Sequence, residues 1–193
     1  MHRFKIRLRR HALANFTERM LGAAKLDVRV YEEVEADTDA TGQAVGVVLL
    51  ASLAGGIGAT GLGAGGASGF IGGAITALLG WVVWAALTYL IGTRLLPEPQ
   101  TRANIGELMR TLGFAQAPGL VLVFGGVPGV GPLVVGLVSI WMLTAMVIAV
   151  RQALDYTSTW RAVGVCIVGW VLSIVMARAF LLFSTTVERA PMP

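Results

Sequence analysis

Two segments of the chain contain no charged residue: QAVGVVLLASLAGGIGATG (residues 43–61) and GFIGGAITALLGWVVWAALTYLIGT (residues 69–93). A helix needs about 20 mostly apolar residues to cross the hydrocarbon core of a bilayer. Both segments meet that length, and the glycine-rich turn between them is also free of charge. They therefore predict two membrane-spanning helices joined by a short connection.

Further spans follow toward the C-terminus. Residues 132–150 and 162–183 are also long and apolar, and only Arg178 is charged within them. Residues 111–124 are apolar but short, so they form either a kinked span that begins near Ile105 or a re-entrant segment. The whole chain is 55% apolar and 13% charged, with a mean hydropathy of +0.74. We predict an all-α membrane protein with about five transmembrane helices.

The N-terminal part differs in composition from the spans. Leu13, Phe16, Met20 and Leu21 recur at helical spacing, which predicts an amphipathic interfacial helix. We therefore divide the chain into a basic N-terminal segment (1–40), a transmembrane domain (41–184) and a short tail (185–193). Eight of the fifteen basic residues precede the first span, which by the positive-inside bias predicts a cytoplasmic N-terminus.

Basic and apolar residues alternate at the very start of the chain. This pattern predicts an arm that lies on anionic headgroups, or else one short strand. The pI near 9.8 does not indicate nucleic acid, because the basic residues cluster next to the first span; membrane lipid is the expected partner. The membrane-surface residues are Arg3, Lys5, Arg7, Arg9 and Arg10.

Glycines spaced by four residues predict close helix pairing. In lipid, small residues favour helix association because they let two backbones approach closely. The candidate packing residues are Gly61, Gly65, Gly69 and Gly73. Their partner is another span of this chain, a second copy or another membrane protein.

Tryptophans lie near the middle of the predicted spans, away from the interfacial belt where this residue is expected. Their rings either fill grooves beside glycine-rich helices or line a pocket for lipid or quinone. Gln116, beside Pro118, either binds a polar ligand or satisfies backbone groups freed by the proline. The candidates for such a polar or lipid site are Gln116, Trp81, Trp84 and Trp141.

The sequence offers no pattern of catalysis or of cofactor binding. Residues 56–61 match G-x-G-x-x-G but lack the strand and the downstream acid that a dinucleotide site needs. Both histidines, His2 and His11, precede the spans, so no span supplies an imidazole to haem or a metal. No nucleophile can be grouped with a base. We expect no enzyme activity, no cofactor and no metal.

The order of features resembles the bacterial branch of the Yip domain family. The residues that carry the resemblance are Thr41-Gly42-Gln43-Ala44 before a glycine-rich span, the segment GELMRTLGFAQAPG (106–119), Gly129-Val130-Gly131-Pro132, RQALDY (151–156) and Trp160-Arg161-Ala162. The resemblance implies five transmembrane helices and a cytoplasmic N-terminus, and its bacterial branch implies a bacterial inner membrane. The Asp-Leu-Tyr-Gly-Pro motif of many eukaryotic members is absent, so their association with small GTPases is not carried over.

These observations predict a non-catalytic multi-pass membrane protein that organises lipids, other membrane proteins or copies of itself. Two alternatives remain open. One is an accessory subunit of a larger energy-converting or photosynthetic complex. The other is a small-solute channel or transporter with Gln116, Ser139 and Thr144 as its polar lining.

Overall fold

The computed structural model describes residues 16–60 and 66–189, with the side chains of all but 66–68, 177 and 179–189. Helices form almost all of this part, and no strand occurs in the described ranges. Two short helices, α1 (16–24) and α2 (Val28–Ala36), form a hairpin ahead of the first span. We call them the α1–α2 hairpin, and the end of the bundle that carries them the hairpin end.

Four long apolar helices follow, and each is long enough to cross a membrane. They are α3 (Ala40–Thr60), α4 (Gly66–Leu90), α6 (Gly131–Ala153) and α7 (Thr159–Arg189). A five-residue π-helical turn, Ile91–Leu95, continues α4. These helices confirm the spans predicted from the gaps in charge.

The ambiguous segment is a broken helix. Helix α5 (Ile105–Phe114) meets a 3-10 segment (Ala117–Gly126) at a bend of 40°. Asn104 and Glu107 start α5 with a reciprocal capping box, in which each side chain accepts from the other residue's backbone N–H. Pro118, in the first turn of the 3-10 segment, has no N–H to donate, which fits a break at this point.

Close contacts with α3 show how far the broken segment reaches. A methyl group added to a glycine would touch the other element at three successive levels: Gly113 at Ala44, Gly119 at Ala51 and Gly58 at Leu122. Residue numbers rise together in both elements, so the two run parallel over 14 residues of α3, about 21 Å at 1.5 Å per residue. The broken segment therefore runs beside α3 for most of its length, and counted as one span it brings the candidate spans to five.

Glycine lets the backbones meet at the far end of this pair. A methyl group at Gly58 would overlap the Leu122 carbonyl oxygen, and one at Gly126 would lie 2.8 Å from the Gly58 oxygen. We expect Gly58→Ala to lower stability by about 1–3 kcal/mol because the two backbones must separate. The thermal unfolding midpoint in detergent measures this loss.

Gly80→Ala is the matched control, because nothing described lies within 4 Å of a methyl group placed there. It should leave the midpoint unchanged or raise it, since alanine favours helix by about 1 kcal/mol over glycine. Equal effects of the two substitutions would contradict the close approach at Gly58.

Candidate functional site

A buried arginine attaches the α1–α2 hairpin to the spans. Arg110 of α5 is only 6% exposed, and its Nε donates to the carbonyl oxygens of Val34 at 2.9 Å and Glu35 at 3.1 Å. These carbonyls end α2, where helical backbone lacks partners and carries partial negative charge. The guanidinium therefore caps α2, and in the described ranges it forms no ion pair with a carboxylate.

Other contacts hold the hairpin in one orientation. The Trp141 indole N–H of α6 donates to Ala24 O at 2.7 Å, and the buried Tyr31 hydroxyl donates to Ala23 O at 3.0 Å. Both acceptors are carbonyls at the end of α1. Charged and amide groups add the remaining links: Arg19 with Glu33 and Asp37, Arg19 with Gln43, and Gln152 with Glu32.

Glu35 has an unusual electrostatic setting. Its carboxyl is half-buried, and Arg110 binds the backbone oxygen of Glu35. Burial is the largest cause that raises the pKa of Glu35 from 4.5 to about 7; the carboxylates of Asp155, Glu107 and Glu32 act in the same direction, and Arg110 opposes them. The carboxyl therefore titrates near neutral pH while the hairpin is docked.

A second polar cluster joins the connections at the same end of the bundle. Glu98 accepts from the backbone N–H and the hydroxyl of Thr157 and from the Ser158 N–H, and it pairs with Arg161 at 3.4 Å. The hydrogen bonds from Thr157 are the main reason that the pKa of Glu98 lies below its ordinary value. This carboxylate thereby fixes the loop before α7 to the loop after α4.

Tyr156 ties the same loops together. Its hydroxyl lies 2.9 Å from Gly92 O and 2.7 Å from Leu96 O, at the π-helical turn. Burial raises the pKa of Tyr156 to about 12, so the phenol stays protonated and can donate. A methyl group at Gly92 would overlap Leu154, which explains the small residue there.

The tryptophans named from the sequence occupy three separate places. Trp81 donates to Met109 O of α5 at 3.0 Å, and Trp141 contacts α1 as described. The six-membered ring of Trp84 packs over Gly169 of α7, with Cη2 3.1 Å from an added methyl group. A ring over a glycine agrees with the interpretation that aromatic side chains fill glycine grooves.

Trp84 also lines an open groove of about 920 Å³ between α4, α6 and α7. The lining is apolar apart from a few polar groups and includes Ser139, Thr144, Cys166, Ile167 and Trp170. Trp84 Nε1 is buried and lacks a hydrogen-bond partner, the one such side-chain atom in the described part. This N–H is therefore enclosed by the bundle and is not exposed to the groove.

The suggested polar lining of a channel is not gathered in one place. Ser139 and Thr144 lie on the groove, but their hydroxyls donate to Val135 O and Ile140 O of their own helix. Gln116, half-buried at the break between α5 and the 3-10 segment, is not among the residues lining the groove. Among the described residues these three side chains do not share one path.

Glycines of α4 face open space. Nothing described lies within 4 Å of a methyl group added at Gly69, Gly72, Gly73 or Gly80. Gly61 and Gly65 lie outside the described residues, as do the basic residues Arg3, Lys5, Arg7, Arg9 and Arg10. Helix packing by Gly69 and Gly73 therefore stays a prediction that concerns a surface beyond this bundle.

Sequence comparison gives the family. A model of the Yip1 domain matches residues 28–180. The chain belongs to the Yip1 domain family. The match begins at the first residue of α2, so this Yip1 domain includes the helix that Arg110 caps as well as the spans. It confirms the resemblance to the Yip domain family, and no curated protein or solved structure gives a significant match.

The sequence reasoning missed the two polar clusters. The sequence assigns no partner to Arg110 and no role to Glu98. Their local signals are an arginine next to an apolar run and a glutamate between Pro97 and Pro99. No group of three metal-binding side chains occurs in the described ranges. The clusters of this Yip1 domain are suited to holding helices together.

Docking of the hairpin should depend on pH through Glu35. Because its pKa is raised in the docked state, its contribution to docking is present in full below about pH 4.5 and is lost as the pH rises through about 7. Because the carboxyl is half-exposed, solvent screening reduces the pH-dependent change in the free energy of docking to the order of 1 kcal/mol. Hydrogen exchange of the α2 amides, corrected for intrinsic rates, should show protection falling from about pH 5 to about pH 8.

Glu35→Gln removes the titrating group and should flatten this pH profile. Glu18→Gln changes an exposed carboxyl on α1 and should leave the profile as in the wild type. A profile that keeps its slope in Glu35→Gln would assign the pH dependence to another group.

Trp81 and Trp84 of α4 should respond differently to replacement by phenylalanine. Trp81→Phe removes the hydrogen bond to Met109 O and should cost about 0.5–1.5 kcal/mol of stability. Trp84→Phe shortens the ring over Gly169 but removes an N–H that has no partner in the described part, so its loss should be smaller than that of Trp81→Phe by about the hydrogen bond. An equal loss in both variants would contradict the assignment of an unused N–H at Trp84.

Proposed function

We propose that this Yip1 domain protein is a non-catalytic membrane protein that organises its neighbours in the bilayer, through contact with other membrane proteins or a second copy. The observation that carries the proposal is the open glycine face of α4. Gly69, Gly73 and Gly80 recur at spacings of four and seven residues, so they share one side of the helix. Nothing described of the chain itself covers them.

The position of this face in the bundle supports the proposal. The same side of α4 carries Trp84 farther along, where Gly169 of α7 packs against it. Toward the glycines the side chains of α4 are largely exposed, as are those of Trp170 and Val171 on α7. The small residues exposed on α4 leave room for a helix from another chain to approach closely.

The distribution of basic residues supports a cytoplasmic position for the hairpin end, in a bacterial inner membrane. The N-terminal arm then joins the same side of the membrane, where each basic side chain contributes about 1 kcal/mol of attraction to an anionic surface. Contact with lipid and contact with protein would thus use different parts of the chain.

An accessory role in a larger complex is the second candidate, and the open groove between α4, α6 and α7 favours it. Its apolar lining is suited to a lipid or quinone, or to an apolar side chain of a neighbouring protein.

Native mass in mild detergent tests the proposed function. The wild type should form a particle heavier than one 20.3 kDa chain, and Gly69→Ile with Gly73→Ile should reduce it to the monomer because the added side chains separate the helices. A wild type that is already monomeric and carries no other protein would overturn the proposal. A large particle of fixed stoichiometry containing other chains would favour the accessory subunit.

Gly136→Ile is the matched control. Gly136 of α6 is also exposed and has nothing described within 4 Å of an added methyl group, but it lies outside the α4 face. It should leave the particle mass unchanged. A loss of mass in this control as well would mean that any bulky exposed substitution disrupts the particle.

A further inference from the structure

The outward side of α1 carries an acid, a leucine and a lysine on one face. Glu18, Leu21 and Lys25 follow each other at spacings of three and four residues, so they lie one above another along the helix. All three are exposed, Leu21 by 52%. The Lys25 N–H still donates to Leu21 O at 2.9 Å, so the helical geometry reaches the lysine just beyond the end of α1. We call these three residues the α1 stripe.

The two charges of the α1 stripe lack partners in the described part of the chain. Neither Glu18 nor Lys25 forms a hydrogen bond or an ion pair with another described residue, whereas Arg19 and Arg29 of the same hairpin are both paired with acids. Seven residues of helix separate the two by about 10.5 Å, so they are too far apart to pair with each other. An acid and a base are thus open to a partner outside the described chain.

Helix α1 lies beside the middle of the spans. The Trp141 indole donates to Ala24 O at the end of α1, and Trp141 is near the middle of α6 (Gly131–Ala153). The Phe16 ring, at the start of α1, packs over Gly46 of α3, with Cζ 3.6 Å from an added methyl group. At the middle of a span an exposed charge is costly unless another charge pairs with it or water reaches it.

The direction of α1 suits pairing with a second copy. The helix runs from α3, at Phe16, to α6, at Ala24, so it crosses from one span to another. A dimer of two copies with one orientation in the membrane has its two-fold axis along the membrane normal. Helices that run across such an axis meet antiparallel.

In an antiparallel pair the α1 stripe is complementary to itself. The midpoint between Glu18 and Lys25 falls next to Leu21, so a two-fold axis at that point places Glu18 of each copy opposite Lys25 of the other. The two Leu21 side chains then face each other at the axis. Both charges gain a partner, and the leucines cover each other, as in an isologous interface.

We infer that α1 is an interface between two copies of this chain, in which two α1 stripes pair antiparallel through two Glu18–Lys25 ion pairs. This deepens the proposed function, on which it rests in taking a second copy as one of the neighbours, but it uses a different helix from the glycine face of α4. A detergent micelle adapts to a polar patch more readily than a bilayer does, and ion pairs in contact with water are worth little. We therefore expect this pairing in the membrane, while the particle mass in detergent reports on the α4 face.

Disulfide cross-linking in native membranes tests the pairing. In a Cys166→Ala background, which removes the chain's own cysteine, Leu21→Cys places one thiol per chain at the two-fold axis. Mild oxidation should convert most of this variant to a covalent dimer. Ala36→Cys is the matched control, because Ala36 is exposed on the same hairpin but lies at the end of α2; it should stay monomeric. No dimer with Leu21→Cys, or equal dimer in both variants, would overturn the inference.

Charge reversal tests the ion pairs. With Leu21→Cys present, Glu18→Lys or Lys25→Glu alone places like charges opposite each other, so each should lower the association constant at least about tenfold. The double variant Glu18→Lys with Lys25→Glu again has opposite charges in register and should recover the dimer. A double variant as defective as the single ones would contradict the pairing.

The α4 substitutions separate the two interfaces. Added to Leu21→Cys, Gly69→Ile with Gly73→Ile should leave the cross-link in membranes in place, even where these substitutions reduce the particle mass in detergent. A cross-link that disappears with them would assign the contact between copies to α4 and exclude α1.

Discussion

The rest of the hairpin end depends on the guanidinium of Arg110 at the last carbonyls of α2. A buried cation without hydrogen bonds is costly, and so are helix-terminal carbonyls without donors. Here each satisfies the other across 75 or more residues of sequence. Because this contact fixes where α2 ends, it also sets the positions from which Glu32 reaches α6 and Arg19 reaches Glu33.

A second constraint shapes the broken span. Backbone groups within a membrane must find partners inside the protein, so irregular backbone is tolerated only where protein covers it. The bend between α5 and the 3-10 segment is covered in this way: Ala117, Pro118 and Gly119 are buried. Small residues on α3 and on the broken segment allow this close packing, because Gly119 contacts Ala51 and Gly58 contacts the backbone of Leu122. The break and the glycine-rich sequence of α3 are therefore one feature.

The spans could be predicted from sequence because length and hydropathy are local properties; the predicted start at residue 43 lies three residues inside α3. The third span could not be decided, because a full crossing and a re-entrant segment give the same tally of charges at the two sides. The course of this segment follows from contacts such as that of Gly113 with Ala44, which join distant parts of the chain. The candidate site was harder still. Nothing near Arg110 or Glu98 in sequence indicates that their partners are α2 and Thr157, and three similar tryptophans proved to have three different surroundings.

Glycines are used in two physically different ways, and the difference bears on function. A glycine in a helix costs about 1 kcal/mol relative to alanine. At Gly58 and Gly113 close packing within the chain offsets that cost, because any side chain would force the helices apart. At Gly69 and Gly73 nothing described in the chain offsets it. Packing against a surface outside this bundle would offset the cost. This is the physical reason for regarding α4 as the side that faces neighbours.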